Sequence, residues 1–116
     1  MDIYHAWCDL APGMSDGTFA HNVRAWMEHL RARGAIEGFR ITRRKLGLGP
    51  EGLGEFHIMI EVKDLAQLDR AFRTAATRTE PAETLHHAVN HMARNARFAL
   101  YRDFPDPFRE TGQEQF

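Results

Sequence analysis

One stretch, Phe39 to Val62, constrains the fold more than any other. It reads FRITRRKL, then GLGPEGLG, then EFHIMIEV. Two strand-like runs on either side of a glycine-rich connection predict a β-hairpin with a long loop. In the second run Phe56, Ile58, Ile60 and Val62 point one way, and His57, Met59 and Glu61 the other. A sheet with one apolar face and one mixed face is therefore expected, and the apolar face needs a cover.

Helical patterns on both sides of the hairpin supply that cover. Before it, Phe19, Val23, Trp26, Met27 and Leu30 recur at helical spacing, with Ser15 as N-cap and Gly34 as terminator. After it, Asp64 caps a second helix with Gln67 at the capping-box position, and Leu65, Leu68 and Phe72 form its apolar side. Pro81 opens a third helix, expected to run to Arg94, with Leu85, Ala88, Val89 and Met92 as its stripe. Alternation at Ile3–Leu10 and Arg97–Arg102 predicts a first and a last strand. Asp103-Phe104-Pro105-Asp106-Pro107 ends regular structure, so residues 1–103 read as one domain. Residues 104–116 read as a tail that is either disordered or docks Phe104 and Phe108 on a partner.

The resulting order, β-α-β-β-α-α-β, predicts an α+β ferredoxin-like sandwich: a four-stranded antiparallel sheet with helices on one face. The uncovered face would carry the second row of each strand, drawn from His5, Trp7, Arg40, Thr42, His57, Met59, Glu61, Arg97 and Tyr101. That row is too aromatic for a solvated face and too polar for a dry core. A second copy packed sheet to sheet solves the problem, so a homodimer is expected.

The order of elements, the extra helix before the last strand and the start YHAWCDL resemble the dimeric α/β-barrel superfamily. More narrowly, RRKLGLGPEGLGEFHIMIEV together with ALYRDFPDP resembles a small bacterial family of unestablished function. The wider superfamily includes cofactor-independent monooxygenases, haem-degrading enzymes and non-enzymatic members, so the resemblance implies a fold and leaves the chemistry open. Some of those oxygenases place an Asn, a Trp and a His or Tyr around the substrate. Asn22 and Trp26 are present here one helical turn apart, and spacing alone does not tie them to that set.

Bulk properties narrow the partners. The chain has 116 residues and a formal net charge of -1, which gives no electrostatic reason to expect nucleic acid. No run approaches membrane-spanning length. The single cysteine, Cys8, rules out an internal disulfide framework and reads as a small buried hydrophobe. With no signal-peptide pattern at MDIYHAW, a cytoplasmic protein is expected.

Three groups of residues carry candidate chemistry. His5, His57 and Glu61 share a face if the first and third strands are neighbours. They form the expected proton-handling set, with no metal and no cofactor assigned. Trp7, Asn22, Trp26, Arg40 and Tyr101 complete the expected binding residues for a small, partly apolar molecule, the tryptophans by stacking and Arg40 by steadying negative charge. Oxidation or isomerisation is the chemistry such a pocket would support; the alternative is a non-catalytic dimeric module in which the same groups form the interface. His87 and His91 share a helix face but read as solvent-facing, and His86 beside them points elsewhere. Gly47-x-Gly49-x-x-Gly52 matches a dinucleotide fingerprint as a string. A strand follows it instead of a helix, so it reads as a hairpin tip.

Overall fold

A computed structural model describes residues 1–105. The elements run β1 (Asp2–Leu10), α1 (Asp16–Ala32), β2 (Gly38–Arg43), β3 (Phe56–Val62), α2 (Leu65–Ala76), α3 (Ala82–Asn90) and β4 (Ala93–Arg102). The four strands form one antiparallel sheet in the order β2-β3-β1-β4. This is the α+β ferredoxin-like arrangement expected from the patterning. Among the described residues no helix is long and apolar enough to cross a membrane.

Alternation decides which face the helices cover. Phe56, Ile58 and Val62 are buried on the helix side with Cys8, and Phe39, Ile41 and Ile60 pack against the same core. Helix α1 buries the whole expected stripe: Phe19, Val23, Trp26, Met27 and Leu30. Its ends are made as the sequence requires. The Ser15 hydroxyl accepts from the Thr18 N–H, and Gly34 takes φ 71°. The N–H of Ala35 then reaches the Leu30 carbonyl and that of Gly34 the Arg31 carbonyl, which closes the helix as a Schellman motif.

Helix α2 is capped by Asp64, whose carboxylate accepts from the Gln67 N–H at 2.8 Å. The Gln67 side chain reaches past the cap to accept from the Lys63 N–H at 2.8 Å and donates to the Gly34 carbonyl at 3.0 Å. This buried amide, 1% exposed, ties the start of α2 to the end of α1. Leu65, expected on the apolar side of α2, is instead exposed. Gln67 and Leu68 occupy the inward positions of that first turn.

Two boundaries differ from expectation. Helix α3 stops at Asn90 and β4 begins at Ala93, so the third helix is shorter and the last strand longer than the pattern suggests. The cause is long-range pairing. The Ala11 N–H takes the Met92 carbonyl at 2.8 Å, and Ala93 pairs with Leu10. Asn95, at φ 56°, makes room for the register shift between Trp7 and Asp9. Phe108, expected to dock on a partner if the tail is ordered, lies outside the described residues.

The glycine-rich loop between β2 and β3 folds back on itself. The Arg44 guanidinium donates to the Leu53 and Pro50 carbonyls, while Leu46 and Leu48 stand out into solvent. Arg43 bridges Asp16 and Glu55, both at 2.9 Å, and so clips the base of the hairpin to the start of α1.

Candidate functional site

The sheet presents chemistry on both faces. On the uncovered face, β3 lies beside β1, with Trp7 opposite His57 and His5 opposite Met59. This register places His5 and His57 on one diagonal, and their rings meet: Nδ1 of His5 lies 2.8 Å from Nε2 of His57. The Trp7 indole stacks on His57 with centroids 4.4 Å apart, and Tyr101 meets His5 edge-on at 5.0 Å. Glu61 is exposed and stands opposite Ile3 and Gly38. It lies four residues along β3 from His57, roughly 13 Å at the strand rise, and no hydrogen bond joins it to either imidazole among the described residues. Arg40 faces Met59 from β2. The structure thus brings together His5, His57, Trp7 and Tyr101 and leaves Glu61 and Arg40 at the margin.

A bond between two ring nitrogens needs one N–H and one lone pair, so at least one ring must be neutral. Burial lowers both histidines from their ordinary value, and for His57 the neighbouring His5 lowers it further. The unfolded chain therefore binds protons more readily than the folded one. Stability is expected to be complete above pH about 6.5 and to fall as the pH drops below the unfolded value, levelling off below the lowered folded ones. Thermal melts from pH 7.5 down to 5 check this. The His57→Gln variant should flatten that slope.

On the covered face a chamber of about 280 Å³ lies between sheet and helices. Its walls are apolar: Phe19, Trp26, Met27, Ile58, Leu68 and Phe72 among others. Cys8 borders it with a thiol pushed up to about 11, first by burial and then by Asp9, so it stays protonated and inert. Phe72, Ala75, His86 and Asn90 also border an outer polar recess with Arg78, Glu83 and His87, which places the mouth between α2 and α3.

The residues expected to bind a ligand divide at this chamber. Trp26 forms part of its wall. Trp7 borders it from β1, although its indole stacks on the opposite face. Asn22 uses its amide elsewhere: Nδ2 donates to the Ala88 carbonyl at 3.2 Å and approaches the Met92 sulfur at 3.5 Å, tying α1 to α3. His86, which helical spacing points elsewhere than His87 and His91, stacks on Trp26 with centroids 5.2 Å apart. Because α3 packs mainly on α1 and ends early, its middle turn, not its apolar stripe alone, meets the chamber. The i, i+4 pair His87 and His91 stack on each other at 5.5 Å, with Nδ1 of His91 3.0 Å from the His87 carbonyl.

A family model covers residues 1–116 and is described as a family of unknown function, DUF6614. The chain belongs to that family. No curated protein matches it in sequence. Solved structures share its fold at low identity. A mutant of SnoaB, a cofactor-independent oxygenase from Streptomyces nogalater, superposes with a TM-score of 0.68 at 6% identity, covering 93% of this chain and 97% of that one. An antibiotic biosynthesis monooxygenase gives 0.61 at 19% identity, covering 90% and 100%. A dimeric ferredoxin-like protein of unknown function from Jannaschia sp. CCS1 gives 0.64 at 11% identity, covering 89% and 100%. At these identities the likeness is one of fold.

Proposed function

We propose that this DUF6614 protein is a homodimer that binds a small, flat, mostly apolar molecule in the helix–sheet chamber and oxidises it with dioxygen and no cofactor. The observation that carries this reading is the chamber itself: an apolar, tryptophan-walled space whose mouth holds one stacked imidazole, His86. Fold similarity to a cofactor-independent oxygenase agrees with it. The dimer would form through the uncovered face, where Trp7, Tyr101 and the His5–His57 pair make an aromatic patch, and neighbours of the same fold are described as dimeric.

Without a cofactor the substrate must supply every electron that reduces dioxygen. That restricts it to molecules whose deprotonated form is electron-rich, such as a phenolic ring system with an activated CH₂. His86 takes the proton at the mouth, and the carbanion adds dioxygen. The CH₂ carbon becomes a carbonyl, one oxygen atom stays in the product and the other leaves as water. On this reading the proton-handling group is His86 in place of His5, His57 and Glu61, because the first two serve the dimer face and the third touches neither them nor the chamber.

Filling the chamber tests the reading. Ala71 is buried in its wall, and Ala71→Leu adds three carbons there. With anthrone as the probe, Ala71→Leu should weaken binding by at least about tenfold, with the melting temperature nearly kept. His86→Ala should keep binding and lose oxygen uptake measured with an electrode, by about a hundredfold or more. Unchanged binding in Ala71→Leu would place the ligand elsewhere. Binding without oxygen uptake in the unmodified protein would make it a non-catalytic binding module.

A further inference from the structure

Behind Trp26 lies a second, polar space. A cleft of about 280 Å³ opens where the last turns of α1 and α2 face each other across the strap that leads into α3. His29 comes from the last turn of α1 and Arg33 is its C-cap, Arg73 comes from the last turn of α2 and Thr77 is its C-cap, and Thr79 and Glu80 come from the strap. Each of the first two pairs is spaced i, i+4, so both members point the same way.

Three features of this cleft suit an oxyanion. Nε2 of His29 is buried and has no hydrogen-bond partner, the only such side-chain atom among the described residues. Such an atom is costly unless it is completed; it is closed to solvent as the ring stands, so a ligand in the cleft reaches it by a small turn of the imidazole. Among the described residues the guanidinium of Arg33 has no carboxylate within ion-pair distance, whereas Arg73 is held by Asp69 at 2.9 Å from outside the cleft. Helix α3 starts at the strap with no side-chain cap, which leaves its positive end partly open, since the Glu83 N–H already donates to the Thr79 carbonyl at 3.1 Å. Two features oppose an anion, and the first is weakened. The C-terminal carbonyls of α1 and α2 point this way, but those of His29, Leu30, Arg31, Arg73 and Ala75 already accept N–H bonds. The Glu80 carboxylate also lines the cleft; the Thr84 hydroxyl holds one of its oxygens at 2.6 Å, and its charge is what the arginines must outweigh.

We propose that this cleft binds a phosphate group, with Arg33 and Arg73 supplying charge, His29 Nε2–H a buried donor, and Thr79 a hydroxyl at the rim. The lining donors come from three separate segments, the end of α1, α2 and the strap, and can serve more oxygens than a carboxylate offers. Trp26 stacks on His29 at 6.0 Å on one side and on His86 at 5.2 Å on the other, so the phosphate would sit one aromatic ring away from the chamber wall. The cleft is independent of what the chamber binds.

Isothermal titration calorimetry with inorganic phosphate, at ionic strength held constant with chloride, tests this. The wild-type protein should give saturable binding, and Arg33→Ala and Arg73→Ala should each weaken it by about tenfold or more. Both side chains lie at the surface, so both variants should keep the wild-type melting temperature. The His29 imidazole resonances should shift on phosphate addition and not on acetate addition. Methyl phosphate binding more tightly than inorganic phosphate would assign a phosphoester; the reverse order would assign the free ion. Absence of saturable binding, or equal binding by wild type and both arginine variants, would overturn the site.

Discussion

Replacing Gly54 by alanine is expected to lower the melting temperature by about 12 °C, from about 3 kcal/mol of overpacking at about 4 °C per kcal/mol for a chain of this size. Gly54 is buried at the foot of the hairpin loop, against the middle strand β1. A Cβ there would stand 2.3 Å from the carbonyl carbon of Cys8, 2.4 Å from its oxygen and 2.7 Å from its Cα. All three are backbone atoms of an inner strand held on both edges by β3 and β4, so β1 has no room to give. The loop would have to lift, which pulls the Glu55 N–H from the Asp9 carboxylate it donates to at 3.0 Å. Gly52 is the control. Nothing lies within 4 Å of its added Cβ, but its φ is 85°, so Gly52→Ala should cost only the left-handed backbone penalty, about 1 kcal/mol. Circular dichroism melts of the two variants give the comparison. If Gly54→Ala melts within about 3 °C of wild type, the loop is not wedged against β1.

Trp7→Glu is expected to convert the protein to a monomer at micromolar concentration. In the proposed dimer Trp7 lies in the stack with His5 and His57, where a partner sheet would exclude water. Loss of an aromatic anchor costs about 2 kcal/mol or more, and a carboxylate buried without a partner adds several more. A total of about 4 kcal/mol or more raises the dimer dissociation constant by about a thousandfold. Sedimentation equilibrium reads this directly. The monomer should remain folded, because the indole lies outside the helix-side core. His57→Ala should give a smaller weakening in the same direction. A Trp7→Glu protein that dimerises with wild-type affinity would move the interface to another face.

The pattern-level features of the chain were readable because they are local. Phe19, Val23, Trp26, Met27 and Leu30 recur at helical spacing, and all five are buried in α1. Ser15, Gly34 and Asp64 cap and end helices where their chemistry predicts. The period-two run of β3 assigned its two faces, and neighbouring β1 and β3 placed His5 against His57. Local pattern failed where distant pairing competes with it. Residues 93–96 carry no strong alternation, yet pairing of Ala93 with Leu10 and of Arg94 with Asp9 draws them into β4 and shortens α3. Leu65 looks apolar in sequence but is exposed, because Gln67 is drawn inward by the Gly34 carbonyl.

Spacing alone determined the β-α-β-β-α-α-β order, the split between a greasy and a mixed sheet face, and the residues that each face carries. Those follow from the periods of 3.6 and 2, which every short segment expresses by itself. Only the tertiary structure decided that Asn22 is used up by α3, that His86 turns toward Trp26, and that His29 and Arg33 share a cleft with Arg73. These depend on how α3 and the ends of α1 and α2 pack, and such packing joins residues too far apart in the chain for any period to relate them.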